Sequence, residues 1–402
     1  MSGQCGFCKF VNPEKDQTFT DDLLKNPTID DVPKRSMRTI VGNYMTIPVQ
    51  SAYLGEVQLQ CIDVGRGNVG LLTVLPGLNG GQSIYVKEID AQSNRLNMNI
   101  DYPLNYLAAL PLIIINPTQC QENARIIANL KDKPNKTQQQ KNRLLNALRY
   151  NAVVDCHFNS CNYVTDFLHD DVKINNVINS NLLLSITGFP NYDNAAFTSK
   201  YMIYGDGQTL FNPLECMDIT GHELGHGIVQ SLCNLVYNGQ SGALNESFAD
   251  IFGASFEFQT YIKYNQDADQ KNNLLGFSDW YIGEDGMKVA AKYLRNMADP
   301  FLSSPPQPKF YRGQYWAAET GVDFGGVHSN SGLGNYLFYL NAQNLGLQLA
   351  LNVYIACLKT MVPTSNYIQF RDALKACAIS FNCLAVVQAN LNAVGLTDNA
   401  VF

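Results

Sequence analysis

The sequence predicts an α+β protein of two lobes, a β-rich N-terminal lobe and a mainly α-helical C-terminal lobe with one central helix between them. Three observations predict it. Short runs of β-branched residues, split by glycine-rich turns, occupy the stretch from about residue 41 to 116. Apolar residues recur at helical spacing after about residue 217. The chain of 402 residues, 46% apolar and only 16% charged, is long and apolar enough to bury two cores.

Residues 1–40 are polar, with Asp pairs at 21–22 and 30–31 and KRSMR at 34–38, and read as an arm or short pro-segment. The N-terminal lobe is expected over 41–236. Its strands are VQLQCIDV (57–64), VGLLTVL (69–75) and QSIYVKEI (82–89), the last two parted by the turn GLNGG. The hydrophilic LKDKPNKTQQQKNR at 130–143 reads as a surface insertion or a solvated helix. The central helix is CMDITGHELGHGIVQSLCNLV (216–236), with Asp218 near its start, where a carboxylate suits the helix dipole. The C-terminal lobe, 237–402, carries helical spacing over 242–263, 331–345, 346–360, 366–379 and 384–394. VPTS at 362–365 stops one of these helices and caps the next.

A net charge of −7 and a pI near 5.3 point away from nucleic acid. The longest apolar run, Tyr106 to Ile115, is ten residues with Pro111 inside it, so no membrane span is expected. Eleven cysteines leave at least one unpaired within a monomer. Cys156/Cys161 and Cys377/Cys383 are close enough in sequence to pair, although spacing does not establish it. Cys5 and Cys8 form a lone CxxC, read as two thiols rather than a metal or redox site.

The central helix holds HELGH at 222–226. His222 and His226 are four residues apart, so both imidazoles project from one face, as two ligands of one tetrahedral ion must. Glu223, beside the first ligand, can reach a water at that ion without itself ligating. SGALNESFADIFG at 241–253 supplies a third ligand in Glu246, with Asp250 one turn later placed to orient one of the histidines. Of five histidines in the chain, His328 sits in the Gly-rich GGVHSNSG at 325–332, read as a loop.

These residues resemble the thermolysin-like neutral zinc metallopeptidases. HELGH, GALNESFADIFG, DWYIGED (279–285), LRNMADP (294–300) and DFGGVHSNSG (323–332) agree in order. Upstream, NAAF (194–197), YMIYGDG (201–207) and VDCHFNSCNYVTDF (154–167) are also similar. The likeness covers roughly 150–402 well and 41–149 loosely. Glu246 follows His226 after a gap of 19 residues, the spacing of this family.

The resemblance implies a two-lobe metalloendopeptidase with one catalytic zinc, acting on peptide or protein substrates before bulky hydrophobic residues. Glu223 is then the general base, Tyr237 and His328 donate to the developing oxyanion, and Asp323 orients His328. Asn194 and the backbone of Ala195 hold the substrate as an added strand, and Arg295 binds the carbonyl beyond the scissile bond. Leu210, Ile219, Ile282 and Leu294 wall an apolar specificity pocket. Asp218, Glu257, Asp279 and Glu284 match calcium ligands. Tyr281 stands where the family often has an acid and Phe277 lies near another ligand position, so one calcium ion is expected rather than a pair. A monomer is expected. Family habit implies an extracellular protein, while MSGQCGFCKFVNPEKDQ shows no apolar core of signal-peptide length. The alternatives are an inactive binding protein that keeps the zinc fold, and a latent zymogen silenced by residues 1–40, with Cys5 or Cys8 capping the zinc.

Overall fold

The computed structural model describes residues 44–76, 83–173, 181–266, 279–288 and 293–400. The arm of residues 1–40, the Cys5/Cys8 pair, the GLNGG turn and Phe277 lie outside them. The described residues fall into two compact units. One runs up to Cys161 and returns up to Glu215; the other takes residues from Asn162 to Lys173 and everything from Cys216 onward.

The first unit is built on two sheets. β1 (Tyr44–Gln50), β2 (Glu56–Gly65), β3 (Asn68–Gly70) and β6 (Ile114–Ile115) form an antiparallel sheet in that order. In β2 the side chains of Val57, Leu59 and Cys61 are buried while Glu56, Gln58 and Gln60 face out, the two-residue period of a half-buried strand. The second sheet is mixed, in the order β4 (Leu72–Leu75), β5 (Ile84–Asp90), β7 (Leu182–Phe189), β9 (Met202–Gly205) and β8 (Ala195–Phe197). β7 runs parallel to both neighbours and is buried on nearly its whole length, whereas β8 is an edge strand paired only with β9.

This β-rich unit also contains helices, α1 (Leu104–Ala109), α2 (Pro117–Leu130) and α3 (Gln138–Asn162). The stretch at 130–143 is neither a free insertion nor one helix. Leu130 ends α2, and Gln138 starts α3. Periodicity does not reveal α3 for a physical reason: Asn151, Asp155, His157, Asn159 and Ser160 are buried together with Ala152, Val154, Cys156 and Phe158, so no single apolar stripe marks an inward face. Asp155 accepts from the backbone N–H of Ala52 at 2.7 Å, tying the helix to the turn after β1. The chain continues as a π-helical segment, Tyr163–Val172, that stops at Lys173 in the left-handed conformation.

The second unit is mainly helical, as predicted. It contains α4 (Met217–Leu232), α5 (Gly239–Gln266), the short hairpin β10 (Tyr281–Ile282) and β11 (Arg295–Asn296), then α6 (Asp323–Leu345), α7 (Leu347–Leu358), α8 (Tyr367–Ser380) and α9 (Leu384–Ala393). Immediately after VPTS, Asn366 and Gln369 close a capping box on α8. Phe248, Phe338, Tyr354 and Phe370 pack edge-to-face at the centre. The GGVHSNSG segment is not a loop. Phe324, Gly325 and Gly326 make a left-handed lead-in, and His328 stands at the start of the regular helix. Neither cysteine pair is a disulfide; Cys156, Cys161, Cys377 and Cys383 are buried thiols.

Candidate metal centre

Two small-residue faces bring the ligands together. A Cβ on Gly221 would meet the Gly253 Cα at 2.9 Å, and one on Gly225 the Ala249 Cα at 3.0 Å, so α4 and α5 pack backbone to backbone. That approach carries Glu246 of α5 up to the histidine face of α4. His222 Nε2 and His226 Nε2 lie 3.1 Å apart, and the Glu246 oxygens lie 3.6 and 3.5 Å from them. Tetrahedral ligands about 2.0–2.1 Å from a zinc ion stand about 3.3 Å from each other. The spacing fits.

The hydrogen bonds behind the ligands fit as well. His222 Nδ1 donates to Asp250 Oδ1 and His226 Nδ1 to Asn245 Oδ1, each at 2.8 Å. Both rings therefore carry the proton on Nδ1 and turn Nε2 lone pairs toward each other, an arrangement that calls for a cation between them. Glu246 Oε2 is buried and has no hydrogen-bond partner among the described residues. Burial pushes the Glu246 carboxyl up, but His328, His226, His222 and Arg295 outweigh it and hold it down at about 2. Burial and the neighbouring His222 bring His226 down to about 4, so it is neutral near pH 7. For His222 burial acts downward, yet the hydrogen bond and charge of Asp250 raise it.

Asp250 orients His222, not His226, and is itself held by Arg295 Nη2 at 2.6 Å and Asn335 Nδ2 at 2.7 Å. Asn245 and Asn335 were missed in the sequence; asparagine leaves no periodic mark, though Asn245 directly precedes a ligand. On the other flank the Tyr237 hydroxyl donates to Glu246 Oε1 and lies 3.1 Å from His328 Nε2. Asp323 accepts from His328 twice, from Nδ1 at 2.5 Å and from the backbone N–H at 3.0 Å. Glu223 is fully buried beside His222. The Leu294 N–H donates to the Ile282 carbonyl at 2.9 Å and the Gly283 N–H to the Asp218 carboxylate, which ties together the segments that carry the buried Ile219, Ile282 and Leu294.

Asn194, Ala195 and Leu210 belong to the first unit. Ala195 opens the edge strand β8, and Leu210 is half exposed. Asp193, which the sequence reading passed over, accepts from the backbone N–H of Gln208, Thr209, Leu210 and Phe211 and so shapes the loop that carries Leu210.

A second cluster joins Glu257, Asp279 and Glu284, whose ligand oxygens lie within 4.8 Å of one another. Burial first, then mutual repulsion, keeps Glu257 and Glu284 well above the usual carboxylate range and lifts Asp279 to about 6. Glu257 Oε2 and Glu284 Oε2 are buried without hydrogen-bond partners among the described residues, as hard oxygens awaiting a cation would be. Asp218, the fourth expected ligand, is engaged by the backbone N–H of Ile219 and Gly283 and is not one of the clustered three. Asp285 adds its charge to each of them and was not singled out in the sequence. Tyr281, in place of an acid, stacks on Tyr293 at 4.2 Å.

Fold and site together define a metallopeptidase in which two histidines of one helix and a downstream glutamate of the next form a group that could hold a metal ion. The family described as thermolysin metallopeptidase, catalytic domain, matches residues 96–230, and its alpha-helical domain matches residues 233–396. Neutral protease NprE of Bacillus pumilus is 36% identical over 256 residues, covering 61% of this chain and 77% of that protein. Bacillolysin of Bacillus subtilis (strain 168) is also 36% identical over 256 residues, but this chain spans only 44% of its length. In fold, the chain is similar to the precursor of protealysin, a metalloproteinase from Serratia proteamaculans, with 24% identity, a TM-score of 0.55, and coverage of 80% of this chain and 90% of that one. The chain belongs to the thermolysin metallopeptidase family. Zinc and calcium are the ions of this family, and the described residues contain two groups that could each hold a metal ion.

Proposed function

We propose that the chain is a zinc-dependent metalloendopeptidase that hydrolyses peptide bonds on the amino side of bulky hydrophobic residues, with Glu223 as general base. The observation that carries this reading is the convergence of His222, His226 and Glu246, each oriented from behind, with Tyr237 and His328 on one flank. When bound there, zinc lowers the pKa of a water from about 15.7 to about 7 and polarises a carbonyl.

Glu223 takes the proton from the attacking water and returns it to the leaving amine. Its burial next to His222 keeps bulk water from competing for that proton. With Nδ1–H donated to Asp323, His328 presents a second proton on Nε2 to the carbonyl oxygen as the imidazolium. Burial acts against that charge, but Glu246 and Asp323 raise the imidazole above its ordinary value. Tyr237 turns its hydroxyl from Glu246 to the same oxygen as charge develops there. Arg295, positioned by Asp250, receives the carbonyl beyond the scissile bond. Ile219, Ile282 and Leu294 take the bulky side chain. Asn194 and the backbone of Ala195 hold the peptide as an added strand. Two observations support that last role: β8 is an edge, and Asn194 Oδ1 is buried without a hydrogen-bond partner among the described residues.

Glu223→Ala tests the reading. The variant should keep a full complement of zinc by elemental analysis while turnover of casein falls about 100- to 10,000-fold. Casein cleavage at the wild-type rate would show that Glu223 is not the base.

A further inference from the structure

Asp323, Phe324, Gly325 and Gly326 are four consecutive residues in the left-handed region, with φ of 59°, 49°, 81° and 77°. Three of them have a reason to be what they are. A Cβ on Gly325 would lie 2.7 Å from the Glu319 carbonyl oxygen, and one on Gly326 2.6 Å from the Ala317 Cβ. Asp323 is among the residues that tolerate this conformation, and its carboxylate holds His328. Phe324 has no such reason. A bulky ring is a poor occupant of a position where Gly, Asn or Asp is at ease, and such outliers gather where a side chain has work to do.

The ring is not held there for the core. It is 44% exposed, and Val322 two residues earlier is 71% exposed. Its packing is against Tyr237, edge-on, with centroids 5.6 Å apart. Tyr237 in turn meets the rings of His226 and His328 at 6.2 and 6.1 Å. His226, Tyr237 and Phe324 thus make a continuous aromatic wall from the metal ligands out to solvent.

We infer that Phe324 is a specificity-determining residue. Its half-exposed ring, with Val322, forms an apolar ledge beside Tyr237 for an apolar or aromatic side chain of the peptide on the acyl side of the scissile bond. The inference rests on the proposed peptide hydrolysis at this site. The side follows from the arrangement: Arg295, with Ile282 and Leu294 beside it, reaches the ligands through Asp250 and His222. Phe324 reaches them through Tyr237 and the other histidine. A peptide that sets the residue after the scissile bond toward the first group sets the residues before it toward the second.

The test uses the full chain carrying Glu223→Ala, loaded with zinc, and peptide binding by fluorescence polarisation. Two peptides keep Leu after the scissile bond and differ only in Phe or Gly before it; a third keeps Phe before it and has Gly in place of Leu. The Phe peptide should bind about tenfold more tightly than its Gly counterpart. Phe324→Asn, whose new side chain suits the left-handed backbone, should bring that ratio close to one and leave the Leu-to-Gly ratio on the other side unchanged. Phe324→Tyr should keep the tenfold ratio, and the Tm of Phe324→Asn should equal or exceed that of its parent. Equal weakening of all peptides in Phe324→Asn, or no preference in the parent, would overturn the inference. A Phe324-dependent ratio in a chain whose Glu223 form hydrolyses neither peptide would instead overturn the hydrolytic reading and leave the ledge standing.

Discussion

His226 could present either ring nitrogen to an ion; Asn245, accepting from Nδ1 at 2.8 Å, decides that it is Nε2. Asn245→Ala should therefore weaken zinc binding about 10- to 100-fold, measured by competition with a chromogenic chelator, with little change in circular dichroism. An unchanged affinity would mean that packing alone fixes the ring. Asp193 is a comparable case away from the ligands. Burial raises its carboxyl, but the backbone N–H groups of Gln208, Thr209 and Phe211 and the Thr209 hydroxyl outweigh that and bring it to about 2, below the ordinary value near 3.9. A depressed carboxyl stabilises the fold above its unfolded pKa and loses that contribution as pH falls. The amides of residues 208–211 should therefore stay protected above about pH 4 and open as the pH drops toward 2. Asp193→Ala should abolish that acid limb in hydrogen exchange. Neither residue was legible in the sequence, because each acts on one partner through one hydrogen-bonding geometry, which leaves no repeat to read.

Helices after residue 217 were legible because their apolar faces repeat at the helical period, and the structure places elements at each predicted position. What the period could not show is how closely two of them approach. Gly221, Gly225 and Gly253 look like weak helix formers in sequence, yet with Ala249 they form the seam through which α4 and α5 touch. A Cβ on Gly253 would lie 2.5 Å from the Asp218 carbonyl oxygen, which is backbone and cannot swing away. Gly253→Val should cost about 1–3 kcal/mol in denaturant unfolding and lower zinc affinity as Glu246 is pushed off. Full stability in that variant would show that the seam yields. In the other direction, α3 leaves no apolar stripe to read, because it buries Asn151, Asp155, His157 and Asn159 interleaved with Ala152, Val154, Cys156 and Phe158. The glycines before His328 suggest a loop in sequence, yet they build the left-handed lead-in to α6.

Glu257 comes from α5, and Asp279 and Glu284 flank β10, so the second unit gathers carboxylates distant in sequence at one point. Burying them together is unfavourable unless a cation offsets their repulsion. Saturating calcium, at about 100 times its Kd, should add about 2.7 kcal/mol to stability, and chelation should remove it as a fall in Tm. Glu257→Gln should blunt that response; a Tm indifferent to calcium would leave the cluster without its ion. The grouping of His222, His226 and Glu246 was legible in the sequence because regular helices convert spacing into direction, whereas Glu257, Asp279 and Glu284 were harder to group, since two of them lie outside regular helix around the short strand β10. Among the described residues no helix is long and apolar enough to cross a membrane. The central claim is that this chain cuts peptides with zinc held by His222, His226 and Glu246. Its most direct test is hydrolysis of a quenched peptide bearing Leu after the scissile bond, followed with and without a zinc chelator. The expected result is cleavage before Leu that the chelator abolishes and added zinc restores. Cleavage indifferent to the chelator, or no cleavage by full-length and arm-deleted chains that both carry zinc, would contradict it.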